Sequence, residues 1–83
     1  MDETRVRVTR DARKHKLTRT RILFALNNDA EYTGSEGDRE FYTGIDNYGV
    51  ELEMILVPDD RDPSRMACIQ AMPSHYRNDE EDD

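Results

Sequence analysis

The side chains best suited to chemistry lie at the two ends of this 83-residue chain. His15 sits in the run Ala12-Arg13-Lys14-His15-Lys16. An imidazole titrates near neutrality, so it can take or give a proton at physiological pH. Arg10, Arg13, Lys14 and Lys16 surround it at helical spacing and would cover most of a short helix. Such a surface can align the phosphates of RNA or another polyanion, or it can be a solvated face paired with the chain's own acids. Toward the other end, His75, Tyr76 and Arg77 follow an apolar segment closed by Pro73. A phenol there can stack on a base or serve as a weak acid. His75 and Tyr76 also read as an exposed chain end, and His15 also reads as a packing or capping residue between two helices.

The remaining reactive side chains point away from metal or thiol chemistry. Glu51 and Glu53 alternate on one strand face, with Glu40 a candidate to lie across from them. No Asp, Glu and His set has ligand spacing, so no metal and no cofactor is expected. Cys68 is the only cysteine, which excludes an internal disulfide. Its alternation with Met66 and Met72 reads as a buried thiol, and Met54, Met66 and Met72 read as core.

Charge is unevenly spread. The chain holds 12 Lys+Arg and 19 Asp+Glu, a formal charge of −7. Residues 1–21 carry +5, residues 22–77 carry −7, and the tail NDEEDD carries −5. The acidic total therefore does not exclude a nucleic-acid partner, because the basic residues are grouped. The tail can also fold back over the basic stripe as an internal phosphate mimic. No apolar run is long enough to span a membrane, and the charged N-terminus lacks the apolar core of a signal peptide, so a cytoplasmic protein is expected.

The elements that must position these groups follow from the pattern. Residues 1–8 read as a frayed or extended lead-in, residues 9–77 as a single domain, and residues 78–83 as a disordered acidic tail. Thr9 or Asp11 can cap a short helix over 12–16, and Thr18 a second over 19–28, with Ile22, Leu23, Ala25 and Leu26 as its apolar stripe. Strands are expected at 30–33, 39–46, 50–57 and 66–72, with Gly49 at positive φ in the turn after Asp46. Val50, Leu52, Met54 and Leu56 share one face of the third strand. The expected fold is α+β, two N-terminal helices packed on a four-stranded antiparallel sheet. A sheet covered on one face can need a homodimer or a second protein on the other.

The segment from Ala12 to Thr18, running into Ile22-Leu23-Phe24-Ala25-Leu26, resembles the opening of the BrnT-like toxins, small proteins of the RelE-type ribonuclease superfamily. Three further segments resemble a small subgroup of putative toxins with a HAMP-like last strand: Phe41 to Asp46, Gly49 to Glu53, and Ile69-Gln70-Ala71-Met72-Pro73. The resemblance implies a cytoplasmic bacterial or phage protein that cleaves RNA without metal and is silenced by a cognate antitoxin. In that chemistry His15 and Tyr76 are the proton-transfer candidates. Arg77, Arg13, Lys14 and Lys16 would stabilise the phosphorane charge. The other reading is a non-catalytic, protein-binding relative. Gln70 stands where the HAMP-like motif carries His, and the chain ends in acids rather than an arginine-bearing helix.

Overall fold

The computed structural model describes residues 6–13 and 17–75 of the chain. Its elements, in order, are β1 (Val6–Val8), a 3-10 turn (Asp11–Arg13), α1 (Arg19–Asn27), β2 (Glu31–Glu36), β3 (Arg39–Ile45), β4 (Glu51–Pro58) and β5 (Met66–Pro73). The strands form one five-stranded sheet in the order β1-β5-β4-β3-β2. β2 to β5 are antiparallel neighbours, whereas β1 lies parallel to β5.

This corrects the expected two helices on a four-stranded antiparallel sheet. The described fold is a mixed, mostly β structure with one complete helix. Of the first expected helix, over 12–16, the described part falls in the 3-10 turn Asp11–Arg13, in which Ala12 is the buried residue, and residues 14–16 lie outside the described residues. The expected lead-in ends in a strand instead, since Val6 and Val8 alternate around Arg7 and bring Val6 into the core.

α1 begins where its sequence provides a cap. Thr18 is extended at φ −89° and ψ 159°, and its hydroxyl accepts the Arg21 N–H at 3.2 Å. The helix ends where Asn27 and Asn28 turn their amides back onto the Leu23 and Phe24 carbonyls, at 2.9 and 2.8 Å. Asp29 then takes a left-handed φ of 63°.

Ile22, Leu23, Ala25 and Leu26 bury one side of α1 in a core shared with Leu52, Met54 and Leu56 of β4, Cys68 and Ala71 of β5, and Val6. Each fully buried Leu or Ile there stabilises the fold by about 1.5–3 kcal/mol relative to exposure. The tightest approach is at Gly44 of β3. A Cβ at that position would lie 2.4 Å from the Ala25 carbonyl oxygen, so the helix rests on bare backbone.

A β-bulge at Ile69 changes the faces of β5. Ile55 pairs with Gln70 and Leu56 with Cys68, which leaves Ile69 as the extra residue. Cys68 and Met66 therefore face the helix, whereas Met72 pairs with Glu53 on the opposite face and is not core. We predict that Gly44→Ala lowers the unfolding free energy by about 1–3 kcal/mol, read from urea denaturation, because the helix must lift to admit the methyl group.

Candidate functional site

β1 is three residues long, and its position is set by side chains. Val6, Arg7 and Val8 pair with Met66, Ala67 and Cys68. Thr9 extends the pairing: its N–H and its hydroxyl both donate to the Cys68 carbonyl at 3.1 Å. The same hydroxyl oxygen accepts the Ala12 N–H at 3.3 Å, so Thr9 both fastens the strand and caps the turn. Arg7 grips Asp59 with two bonds, Nε to Oδ2 at 3.0 Å and Nη2 to Oδ1 at 3.2 Å. Asp59 is nearly buried and also accepts the Arg61 N–H at 3.0 Å. The Arg7 guanidinium, helped by that N–H, holds the Asp59 carboxyl below the usual carboxylate range.

The parallel pairing has a direct geometric consequence. β1 runs parallel to β5 but pairs only with its first three residues, Met66–Cys68, so the chain leaves β1 beside Cys68, five residues before β5 ends at Pro73. β1 leads into Arg10 and Arg13, both exposed, and the turn carrying Arg13 packs against β5. β5 leads into Ser74 and His75, which take helical geometry with His75 exposed. Lys14, His15, Lys16, Tyr76 and Arg77 lie outside the described residues. The described flanks of both sequence-predicted clusters thus lie along one lateral edge of the sheet, at different points along β5.

That edge also carries, at the N-terminal end of β5 and away from Ser74 and His75, a cavity of about 360 Å³ lined by Arg7, Arg19, Arg61 and Arg65 together with Asp59 and Asp62. Sequence reasoning missed Arg61 and Arg65, because their loop, Pro58-Asp59-Asp60-Arg61-Asp62-Pro63-Ser64-Arg65, contains three acids that cancel them in any linear count. The loop is self-bonded. Asp62 accepts the Ser64 hydroxyl at 2.6 Å and the Ser64 N–H at 3.1 Å, and these bonds hold its carboxyl below the usual range. Arg65 Nε lies 3.4 Å from Asp62.

The face of the sheet opposite α1 holds a second concavity, a groove of about 390 Å³ lined in part by Phe41, Thr43, Glu53, Ile55, Gln70 and Met72. Glu53 shares that face, whereas Glu40 pairs with Leu56 on the helix side and accepts the Tyr42 hydroxyl at 3.0 Å. The carboxylates named from the sequence are therefore divided between two faces. Among the described residues, no group of three or more His, Cys, Asp and Glu could hold a metal ion. Cys68 is buried, and desolvation pushes its thiol up to about 11, which leaves almost no thiolate at neutral pH.

The helix is locked to the sheet by a second ion pair. Arg21 Nε reaches Asp46 Oδ2 at 2.6 Å, and the Asp46 side chain is fully buried. Asp46 Oδ1 accepts the Tyr48 and Val50 N–H groups at 2.8 and 3.0 Å. The Arg21 guanidinium lies over the Tyr48 ring, 5.1 Å from its centre. Burial would push the Asp46 carboxyl up; the Val50 N–H, Arg21 and the Tyr48 N–H outweigh it and hold the group low.

No family profile, curated protein or solved structure matches this chain. No helix among the described residues is long and apolar enough to cross a membrane.

Asp46 and Asp59 give a pH prediction. Both carboxyls are lower in the folded than in the unfolded chain, where Asp titrates near 3.9. Around and below pH 4 the unfolded state binds more protons, so stability is fully present above that pH and falls as acid protonates the folded carboxyls. Asp46→Asn should cost about 1.5–3 kcal/mol at pH 7 and give a shallower acid limb than the parent in urea midpoints measured from pH 7 to pH 3.

Proposed function

We propose that this chain is the toxin-like, RNA-cleaving member of a toxin–antitoxin pair, acting in the cytoplasm. The observation that supports this reading is the parallel pairing of β1 with β5. It puts the leads into the two sequence-predicted clusters on one lateral edge of the sheet, one leaving beside Cys68 and the other at Pro73, so a two-cluster site needs the residues beyond them to span that length of β5. In this reading His15 and Tyr76 share proton transfer, one drawing the proton from the 2′-hydroxyl and the other supplying one to the leaving 5′-oxygen. Arg77, Arg13, Lys14 and Lys16 offset the charge on the phosphorane. Arg10 and Arg13 are exposed, as phosphate contacts must be.

A second reading, a non-catalytic protein-binding relative, is supported by the uncovered sheet face. Phe41, Ile55 and Met72 line its groove, and Glu51 and Glu31 lie exposed on the same face, in the rows of Ile45 and Thr43. Such a face suits a partner that is both apolar and basic, whether an antitoxin or another regulator.

One experiment separates the two. Expression should arrest growth, and the product of the neighbouring gene should relieve the arrest. His15→Ala and Arg77→Ala should each reduce RNA cleavage by the purified protein by about 10²-fold or more, while the exposed Arg39→Ala leaves it unchanged. A folded protein that leaves RNA intact and is harmless in cells would overturn the catalytic reading and leave the binding one.

A further inference from the structure

Four guanidiniums and two carboxylates line the cavity at the β1 border, which leaves two positive charges in excess. Not all four serve the fold. Arg7 is committed to Asp59 and Arg65 lies beside Asp62. Arg19 and Arg61 are exposed, and neither guanidinium has a hydrogen bond or an ion pair within 4 Å among the described residues, although the charge of Arg61 acts on the Asp59 carboxyl from farther off. The carboxylates cannot supply one readily. Asp59 already accepts two Arg7 donors and the Arg61 N–H, and Asp62 already accepts Ser64 twice and faces Arg65. Two unpaired guanidiniums around one cavity repel each other, and an anion placed between them would reverse that repulsion. Arg19 also opens α1, so the positively polarised first turn of the helix adds to the field at the same border.

We propose that this cavity is a binding site for a phosphate group, with Arg19 and Arg61 as its direct donors and the Arg7–Asp59 pair as the rigid frame that positions Arg61. Planar guanidiniums present paired N–H donors that match two phosphate oxygens at once, and a cavity of about 360 Å³ is within the range of small-ligand clefts. The site is separate from the residues named above for cleavage. It requires binding alone, and it would hold either a phosphate of a single-stranded RNA backbone or a free phosphate ion.

Two titrations of the full chain test it. Inorganic phosphate is added to isotope-labelled protein while the arginine side-chain resonances are followed. A short fluorescent oligouridylate is then titrated by anisotropy at several salt concentrations. Phosphate should shift the Arg19 and Arg61 resonances and leave Arg39 unmoved. If the source is RNA, Arg19→Gln and Arg61→Gln should each weaken oligonucleotide binding roughly 3–10-fold and flatten the salt dependence by about 0.7 per lost contact, with Arg39→Gln as the silent control. Phosphate shifts with oligonucleotide binding unaffected by these variants would assign the site to free phosphate. Absence of both responses in folded protein would overturn the proposal, even if the chain cleaves RNA. Binding without cleavage would overturn the catalytic reading and leave this site standing.

Discussion

The grip of Arg7 on Asp59 fixes an edge of the sheet that its backbone alone would hold weakly. A three-residue strand makes few ladder bonds, and a parallel edge pair is slightly less stable per residue than an antiparallel one. Two charge-assisted bonds from Arg7 to a nearly buried carboxylate, and two neutral bonds from Thr9 to the Cys68 carbonyl, hold it at its middle and just past its C-terminal end. The consequences are spatial. With β1 in place, the first three residues of β5 are interior to the sheet, Val6 joins the core, and the chain emerges from β1 beside Cys68. The Arg7–Asp59 pair also shapes the arginine-lined cavity, since Asp59 holds the backbone of Arg61 as well.

α1 supports the other side of this arrangement. It can approach β3 closely because Gly44 has no side chain, and it is kept there by Arg21 reaching into the turn that follows Ile45. The core beneath it is small and occupies one face of the sheet. The opposite face keeps Ile45 half exposed, with a groove of mixed character beside it. The fold thus groups part of its charge: Arg7, Arg19, Arg61 and Arg65 gather along the β1 border and the start of α1, and Glu31, Glu51 and Glu53 lie on the open face. A protein with an acidic total can in this way present a basic edge to a polyanion and an acidic face to a protein.

Much of the middle of the chain was legible. Thr18 as cap, the apolar stripe of α1, the shared face of Leu52, Met54 and Leu56, and the positive φ of Gly49 all follow from local rules, and each appears in the structure. The errors came where distant contacts decide. Val6 and Val8 carry strand alternation, but three residues give too short a signal, and their partner lies some sixty positions along the chain. The basic run has helical charge spacing, but its described part, Asp11–Arg13, buries Ala12 alone and forms a 3-10 turn. Alternation alone places Met72 in the core, and the bulge at Ile69 reverses that alternation. Arg61 and Arg65 were hidden by their acidic neighbours. Only the fold shows that those acids are engaged in holding the loop and Arg7, leaving a guanidinium free. Of the candidate site, Arg10 and Arg13 were found from sequence and lie exposed, while the arginine-lined cavity beside them was not foreseen.

The placement of β1 is the claim on which the functional account rests, and hydrogen exchange with cross-strand proton contacts tests it most directly. The account predicts parallel-pattern contacts between Val8 and Cys68, and a Thr9 amide that exchanges far more slowly than in an unstructured peptide. It also predicts that this protection falls in Asp59→Asn while the β3–β4 amides stay protected. A Thr9 amide exchanging at the unstructured rate in the parent protein, with no contact between Val8 and Cys68, would leave β5 as the sheet edge and contradict the account.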